Sequence, residues 1–507
     1  LLDASSLDES MHNVMKFSFS KRDNFMHGHA NSSPSQPAPT VKPVAWKPVL
    51  IKQKGETKHA ALTGCIITDI ESGVLKPMDR MPTHRDLAHE LGLSIQTVSL
   101  AYKEAERLGY LSGEIGRGTF VKARVTERAG RMMLDHSPNE VLDLSIIRGV
   151  YLDAHETASR AVFRKLAETD NSGFMRPCRP IAGLTHHREA ACSWLRPLGV
   201  TAGIERILVT NGAAHGIFLA LSCIVRSGDV VLCENLTDHG TIGLSNILGF
   251  SLKGLPTDEE GIVPDALEAA CAAGGVRALV LIPTLNNPTS HVAGAARRCE
   301  IATIAERYGI FVIEDEVYRP MLDEDLPSIT EMLPELGFFA TSFTKTVLTG
   351  LRVGYLVVPP AYSIRAASIL RVSSWSGTYL SAEIATRWIE DGTAWRLLEI
   401  QRSEARARQS IASEILKSHI ASSHPLSLCV WLDVPHHWTE EGLVRALANQ
   451  NVAVTPSDPF IAGPGNGGGI RICLGGRMSH EDLAKALTTV RQTFEQLPPV
   501  YDIGSIG

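Results

Sequence analysis

The chain has 507 residues, 44% hydrophobic and 21% charged, a balance that excludes bulk disorder and, at roughly 150 residues per domain, suggests about three units. Its 49 basic and 55 acidic side chains leave a formal charge of −6, which gives no sign of nucleic acid at the level of the whole chain. No run approaches the roughly 18 apolar residues that span a bilayer. The opening LLDASSLDES lacks the basic-then-apolar pattern of a secretory signal, and Leu1 in place of Met points to a fragment or an upstream extension. The nine cysteines are odd in number and never spaced C-x-x-C, so reduced thiols in a cytoplasmic protein are expected.

Residues 1–55 read as a disordered tail, because NSSPSQPAPTVKP at 31–43 offers little to bury. Lys42, Lys47, Lys52, Lys54 and Lys58 gather at its end, either as a solvated linker or as an arm for phosphates. A unit follows at 56–123. Leu62, Cys65, Ile66 and Ile70 fall at helical spacing, and Gly73 ends that helix. Thr83 opens a second helix, with Asp86 in capping-box position, Leu87 and Leu91 inside, and Gly92 as the stop. Ser94 caps a third, with Val98, Tyr102, Ala105 and Leu108 inside and Gln96, Ser99 and Lys103 outside. GYLSGEIGRGTFV then gives two short strands around a turn with Gly113, Gly116 and Gly118. Helix, turn-joined helix pair and hairpin make a winged helix-turn-helix, whose third helix enters the major groove of double-stranded DNA.

Residues 124–140 form a polar linker. From 141 the strands ERILVTN, DVVLCEN, RALVLIPT and GIFVIEDE alternate with amphipathic helices, as in a parallel sheet with crossovers. Four segments there carry chemistry. TNGAAHG at 210–216 follows a strand and opens a helix, where small residues let backbone amides meet an anion; alone it is a common turn. NNPTS at 286–290 offers Asn287, in what is otherwise a loop signal. EDEVY at 314–318 puts a carboxylate at the end of a buried strand, where open α/β sheets hold ligands and where the charge needs a cation. SFTKTVLTGLRVGY at 342–355 sets a lysine among hydroxyls with an arginine seven positions on, a pattern suited to a phosphorylated aldehyde. The stretch 391–500 reads as a smaller α+β domain.

In this order the four segments resemble fold-type I aminotransferases, which use pyridoxal 5′-phosphate. The stretch from Gly73 to Val121 resembles the GntR family. A GntR-type head on an aminotransferase-like body is the arrangement of MocR-type transcriptional regulators, and the two resemblances span about 58–495. The implied architecture is a winged head at 56–123, a large α/β cofactor domain at 141–390 and a small C-terminal α+β domain at 391–500. The resemblance implies that Lys345 forms the Schiff base with the cofactor and that Asp315 pairs with its ring nitrogen. Asn287 and Tyr318 hold its phenolic oxygen. Ser342, Arg352 and the backbone of Gly212 and Ala213 hold the phosphate, with Ala214 just behind and Thr344 assisting. Arg471 grips an amino acid's carboxylate. On the head it assigns Arg85, Ser94, Gln96, Thr97, Lys103 and Gly118 to DNA.

Three departures stand out. Asp238 sits where the family has an aromatic stacked on the ring, so either His239 stacks instead or the ring is held more loosely. Ile95 replaces an arginine at the start of the recognition helix, and Met78 replaces a glycine. GPGNGGG at 463–469 is not a P-loop and reads as a flexible loop. His186-His187 and His436-His437 are adjacent rather than i, i+4 pairs, so no metal is expected. Two functions remain. One is a homodimeric regulator that senses an amino-acid or amine effector by aldimine exchange. The other is an active aminotransferase carrying a DNA-binding head.

Overall fold

The computed structural model describes residues 44, 46–48, 50, 57–71, 74–75, 79–107, 110–114, 118–121, 141–169, 173, 180–462 and 468–498. The expected tail as far as 43, Lys42, Lys52, Lys54, Gly73, Met78, Leu108, Gly116, the linker 124–140 and residues 463–467 lie outside the described residues. The chain divides into two units, Leu1–Arg124 and Val125–Gly507.

The first unit holds α1 (Lys58–Glu71), α2 (His84–Leu91), α3 (Ile95–Arg107), β1 (Leu111–Glu114) and β2 (Gly118–Val121). Thr83 starts α2 as its sequence foretells: its hydroxyl accepts the Asp86 amide at 3.2 Å and donates to the Asp86 carboxylate at 2.7 Å. Gly92, at φ 61°, turns the chain out of α2. Ser94 Oγ accepts the Thr97 amide at 3.1 Å and so opens α3. Leu62, Ile66, Leu87, Val98, Tyr102 and Ala105 meet in one core. The antiparallel wing, β1 on β2, gains a third rung where Met81 donates to Thr119 (2.8 Å) and Val121 to Asp79 (2.9 Å).

The core also reaches back past residue 56. Trp46 is buried in it, and the indole N–H donates to Asp69 at 2.7 Å. The expectation of a disordered tail through residue 55 is thereby corrected. An indole buries a large apolar body once its N–H finds an acceptor.

In the second unit the strands are β3 (Leu142–Asp143), β4 (Ile207–Thr210), β5 (Val230–Glu234), β6 (Ser251–Leu255), β7 (Thr257–Asp258), β8 (Gly261–Ile262), β9 (Val276–Leu281), β10 (Phe311–Asp315), β11 (Gly337–Ser342), β12 (Gly354–Val357), β13 (Ile420–Ser422), β14 (Cys429–Asp433), β15 (Val452–Ala453), β16 (Thr455–Pro456) and β17 (Gly469–Cys473). The helices are α4 (Asp153–Glu168), α5 (Thr185–Leu195), α6 (Ala213–Ile224), α7 (His239–Leu248), α8 (Pro264–Ala272), α9 (Ala295–Tyr308), α10 (Ile329–Met332), α11 (Ser363–Ser374), α12 (Tyr379–Glu390), α13 (Thr393–Leu416), α14 (Glu440–Ala448) and α15 (His480–Glu495).

The main sheet runs β4-β12-β11-β10-β9-β5-β6. It is mixed rather than wholly parallel, because β12 is antiparallel to both neighbours. The link from β11 to β12, residues 343–353, holds no crossover helix, and a parallel return needs one. Alternate residues feed opposite faces: Val209, Phe339, Tyr355 and Val357 join one core, and Leu208, Phe338, Ala340 and Leu356 another.

A second, four-stranded sheet, β13-β14-β17-β16, packs with α13, α14 and α15 around Val430, Ile472, Leu483 and Phe494. β3 pairs in parallel with β15, and Leu144 enters this same core. Residues 142–144 thus pack with the C-terminal domain although they precede the large one in sequence.

Candidate cofactor and ligand site

β4, β5, β9, β10 and β11 all end at one edge of the main sheet, and antiparallel β12 begins there. Each segment singled out by sequence lies at this edge, where open α/β sheets bind ligands. Gly212 follows β4, Asp238 follows β5, and Asn287 follows β9. Asp315 and Ser342 are the last residues of β10 and β11, and Arg352 just precedes β12.

One corner gathers backbone amides, two hydroxyls and a guanidinium. Gly212 caps α6 at φ 91°, and a Cβ there would lie 3.1 Å from Arg352 Nη2 and 3.7 Å from Thr344 Oγ1. Only glycine admits that backbone and that approach without strain. Ala213 is buried and Ala214 exposed on the first turn of α6, whose leading amides have no acceptor within the helix. Arg352 donates to Asn211 O at 3.4 Å, and Ser342 Oγ accepts the Thr344 amide at 3.3 Å. Thr344 Oγ1 is buried with no hydrogen-bond partner among the described residues.

In the middle of the edge stands Lys345, whose Nζ donates to Ile147 O at 2.6 Å. Burial lowers the Lys345 ammonium pKa, while the nearby Asp238 carboxylate works against that. Asp315 is buried. Burial, then the charge of Asp238, pushes its carboxyl up to about 8. Its one relief from a neighbour's backbone is a 3.4 Å bond from the Val317 amide. Tyr318 is buried too, which raises its phenol well above the ordinary value.

The third part is a chain of hydrogen bonds. Arg471, on β17, donates from Nη1 to Asn287 Oδ1 at 2.7 Å and from Nη2 to Ser145 O at 2.6 Å. Its guanidinium lies 4.6 Å over the Phe460 ring. Asn287 Nδ2 donates to Asp238 Oδ2 at 2.6 Å, and Asp238 Oδ1 caps α7 by accepting the Gly240 amide at 2.7 Å. Burial opposes the Asp238 charge, but His239, the Gly240 amide, Lys345 and Asn287 outweigh it and hold the carboxyl below its ordinary value. His239 Nδ1 is 3.5 Å from Asp238 Oδ2, and its ring stands edge-on to Phe460.

On the head, Arg85, Ser94, Gln96, Lys103 and Gly118 are exposed and Thr97 is half-buried. The Ser94 and Thr97 hydroxyls share a 2.7 Å bond, so both serve the α3 cap. Gly118 adopts φ 115°, and a Cβ there would come within 2.9 Å of Arg80 Nε.

Sequence reasoning missed Ser145, Ile147 and Phe460, because backbone carbonyls and remote rings leave no motif. It also missed Asn211, whose Oδ1 accepts both the amide (2.9 Å) and the hydroxyl (3.0 Å) of Thr378. Adjacency does not keep His186 and His187 apart. Their Nε2 atoms lie 2.9 and 3.2 Å from the same Glu383 oxygen, while Arg387 takes the other at 2.8 Å. With Arg387 paired, that carboxylate already has its countercharge.

Residues 139–490 match the family model "Aminotransferase class I and II", and residues 61–121 match "Bacterial regulatory proteins, gntR family". The chain is 25% identical over 461 residues to "Uncharacterized HTH-type transcriptional regulator YdeF" of Bacillus subtilis, covering 90% of this chain and 98% of that one. It is 27% identical over 410 residues to "Vitamin B6 salvage pathway transcriptional repressor PtsJ" of Salmonella typhimurium, covering 80% and 91%. Among solved structures, an archaeal alanine:glyoxylate aminotransferase shares the fold at a TM-score of 0.67 and 19% identity, over 78% of this chain and 99% of that one.

Proposed function

Because the chain belongs to the aminotransferase class I and II family and carries a gntR-type head, as HTH-type transcriptional regulators of the MocR kind do, we propose that its body binds pyridoxal phosphate and an amino compound to control DNA binding. The observation that carries this reading is the buried Asp315. A carboxylate so placed is costly until a cation meets it, and a protonated ring nitrogen is such a cation. The rest of the edge fits the same group. The amides after Gly212, with Ala213 and Ala214, together with Ser342, Thr344 and Arg352, suit its phosphate. Asn287 and Tyr318 suit its phenolic oxygen, and the Lys345 amine suits its aldehyde.

Bound there, pyridoxal phosphate supplies an aldehyde that reacts with amines and a ring that withdraws electrons. The protein's own part is to hold and to exclude. Asp315 would hold the proton of the ring nitrogen, the Lys345 amine would meet the aldehyde, and Arg471 would offer its guanidinium to a ligand carboxylate. The effector can shift the DNA-binding state only by binding two arrangements with different affinity. The head would place α3 in the major groove, with Gln96, Thr97 and Lys103 on it, Ser94 at its start, Arg85 on α2 and Gly118 on the wing. A homodimer in the cytoplasm, on a double-stranded operator, completes the reading.

In the test, the purified protein has visible absorption from lysine-bound cofactor, and Lys345→Ala abolishes it. It also shifts DNA from its own upstream region in a salt-sensitive way, and an amino compound changes that shift. A colourless protein, or one indifferent to Lys345→Ala, sinks the cofactor half. Absence of any sequence-dependent shift sinks the DNA half. The second reading, an active aminotransferase, is favoured by the side chains assigned above to the cofactor, which lie together at the sheet edge, the stacking aromatic apart. Repeated turnover of an amino acid with a keto acid is its test.

A further inference from the structure

Asp238 has no part in that reading, yet it is a charged group beside Lys345. Its two oxygens accept one hydrogen bond each, from Gly240 and Asn287. His239 Nδ1 lies beside Oδ2 at 3.5 Å without a hydrogen bond, a carboxylate has about four acceptor positions, and 29% of this side chain is exposed, so part of the anion stays open to a further donor. The opposite charge is one amide group away: Asn287 gives its nitrogen to Asp238 and its oxygen to Arg471. Arg471 Nε, buried, has no hydrogen-bond partner among the described residues.

We propose that Asp238 and Arg471 are the two ends of a ligand subsite that prefers a diamino carboxylic acid, its carboxylate at Arg471 and its second ammonium at Asp238. A ligand with a plain alkyl side chain leaves the open flank of Asp238 to water. A dicarboxylate sets like charges together and is disfavoured. Ranked by charge, the order is diamino, then neutral, then dicarboxylic. The proposal rests on the cofactor reading above and adds the class of ligand to it.

The test uses the full chain loaded with pyridoxal phosphate. It is titrated with L-ornithine and with L-norvaline, which has the same carbon chain without the terminal amine, and then with L-glutamate. The visible spectrum and the melting temperature are both read. One charge-assisted hydrogen bond in a partly desolvated site predicts half-saturation by ornithine at a concentration about tenfold or more below norvaline, with glutamate weakest. Asp238→Asn keeps an oxygen for the Gly240 amide, gives up the bond from Asn287 Nδ2 and removes the charge, so it brings ornithine and norvaline to within about twofold. Equal response to ornithine and norvaline in the unaltered protein overturns the proposal, and so does a preference that survives Asp238→Asn. If Asp238→Asn does not fold, the comparison in the unaltered protein still decides. A protein that never acquires the cofactor's absorption fails at the earlier reading, and that outcome is visible before any ligand is added.

Discussion

At the scale of single residues, Asp315 makes a pH prediction of definite sign. Its carboxyl goes from an ordinary 3.8 to about 8 in the folded, cofactor-free chain, by burial first and by Asp238 second. The folded state therefore holds a proton that the unfolded chain releases. Stability from this group is full below the ordinary value and is lost as pH rises through about 8. Cofactor-free protein should melt at lower temperature as pH climbs across that window. Asp315→Asn should flatten the slope, only in part because Glu234, pushed up to about 7 by its own burial, pulls in the same direction. Added pyridoxal phosphate should remove the Asp315 share, since a ring cation favours the charged carboxylate. Calorimetry at several pH values, with and without cofactor, checks all three.

At the scale of elements, the turn from β4 into α6 is the most exacting piece of backbone in the site. Gly212→Ala puts a side chain at φ 91° and 3.1 Å from Arg352 Nη2. A cost of about 1–3 kcal/mol from conformation alone at φ 91° and ψ 170°, with Arg352 displaced as well, should weaken cofactor binding by about tenfold or more in an absorbance titration. Ser94→Ala removes the cap of α3 and should cost the head about 1 kcal/mol, read as an earlier melting step.

These two elements also mark how far sequence carries. Thr83, Gly92 and Ser94 act on amides a few residues away, so their roles were readable. So was the row of Gly212, Asn287, Asp315, Ser342 and Arg352, since every strand end brings its next residues to the same edge. The direction of β12 was not read, although the short link before it limited the choice. Trp46 on Asp69, His186 and His187 on Glu383, and residues 142–144 beside β15 join partners distant in sequence. No local pattern encodes such pairs.

At the scale of the whole molecule, the charge of −6 is divided unevenly. Residues 56–124 carry nine basic and nine acidic side chains, so the head is near neutral and attraction to DNA has to come from where charges sit. Exposed Arg85 and Lys103 should each account for about one phosphate contact. Alanine at either should weaken binding across sequences and reduce the slope of log affinity against log salt by about one, measured by band shift at several salt concentrations. Loss of sequence preference at unchanged slope would instead mark that residue as a base reader.

The first residues of the body are held by two of the site's cations. Ser145 O takes Arg471, and Ile147 O takes Lys345. A guest that claims both cations unhooks two carbonyls at once. Each must find another donor or open to water, at about 1–3 kcal/mol if it stays buried and unpaired. Occupancy of the pocket would thus be felt first in residues 145–147, near the start of the body's described residues.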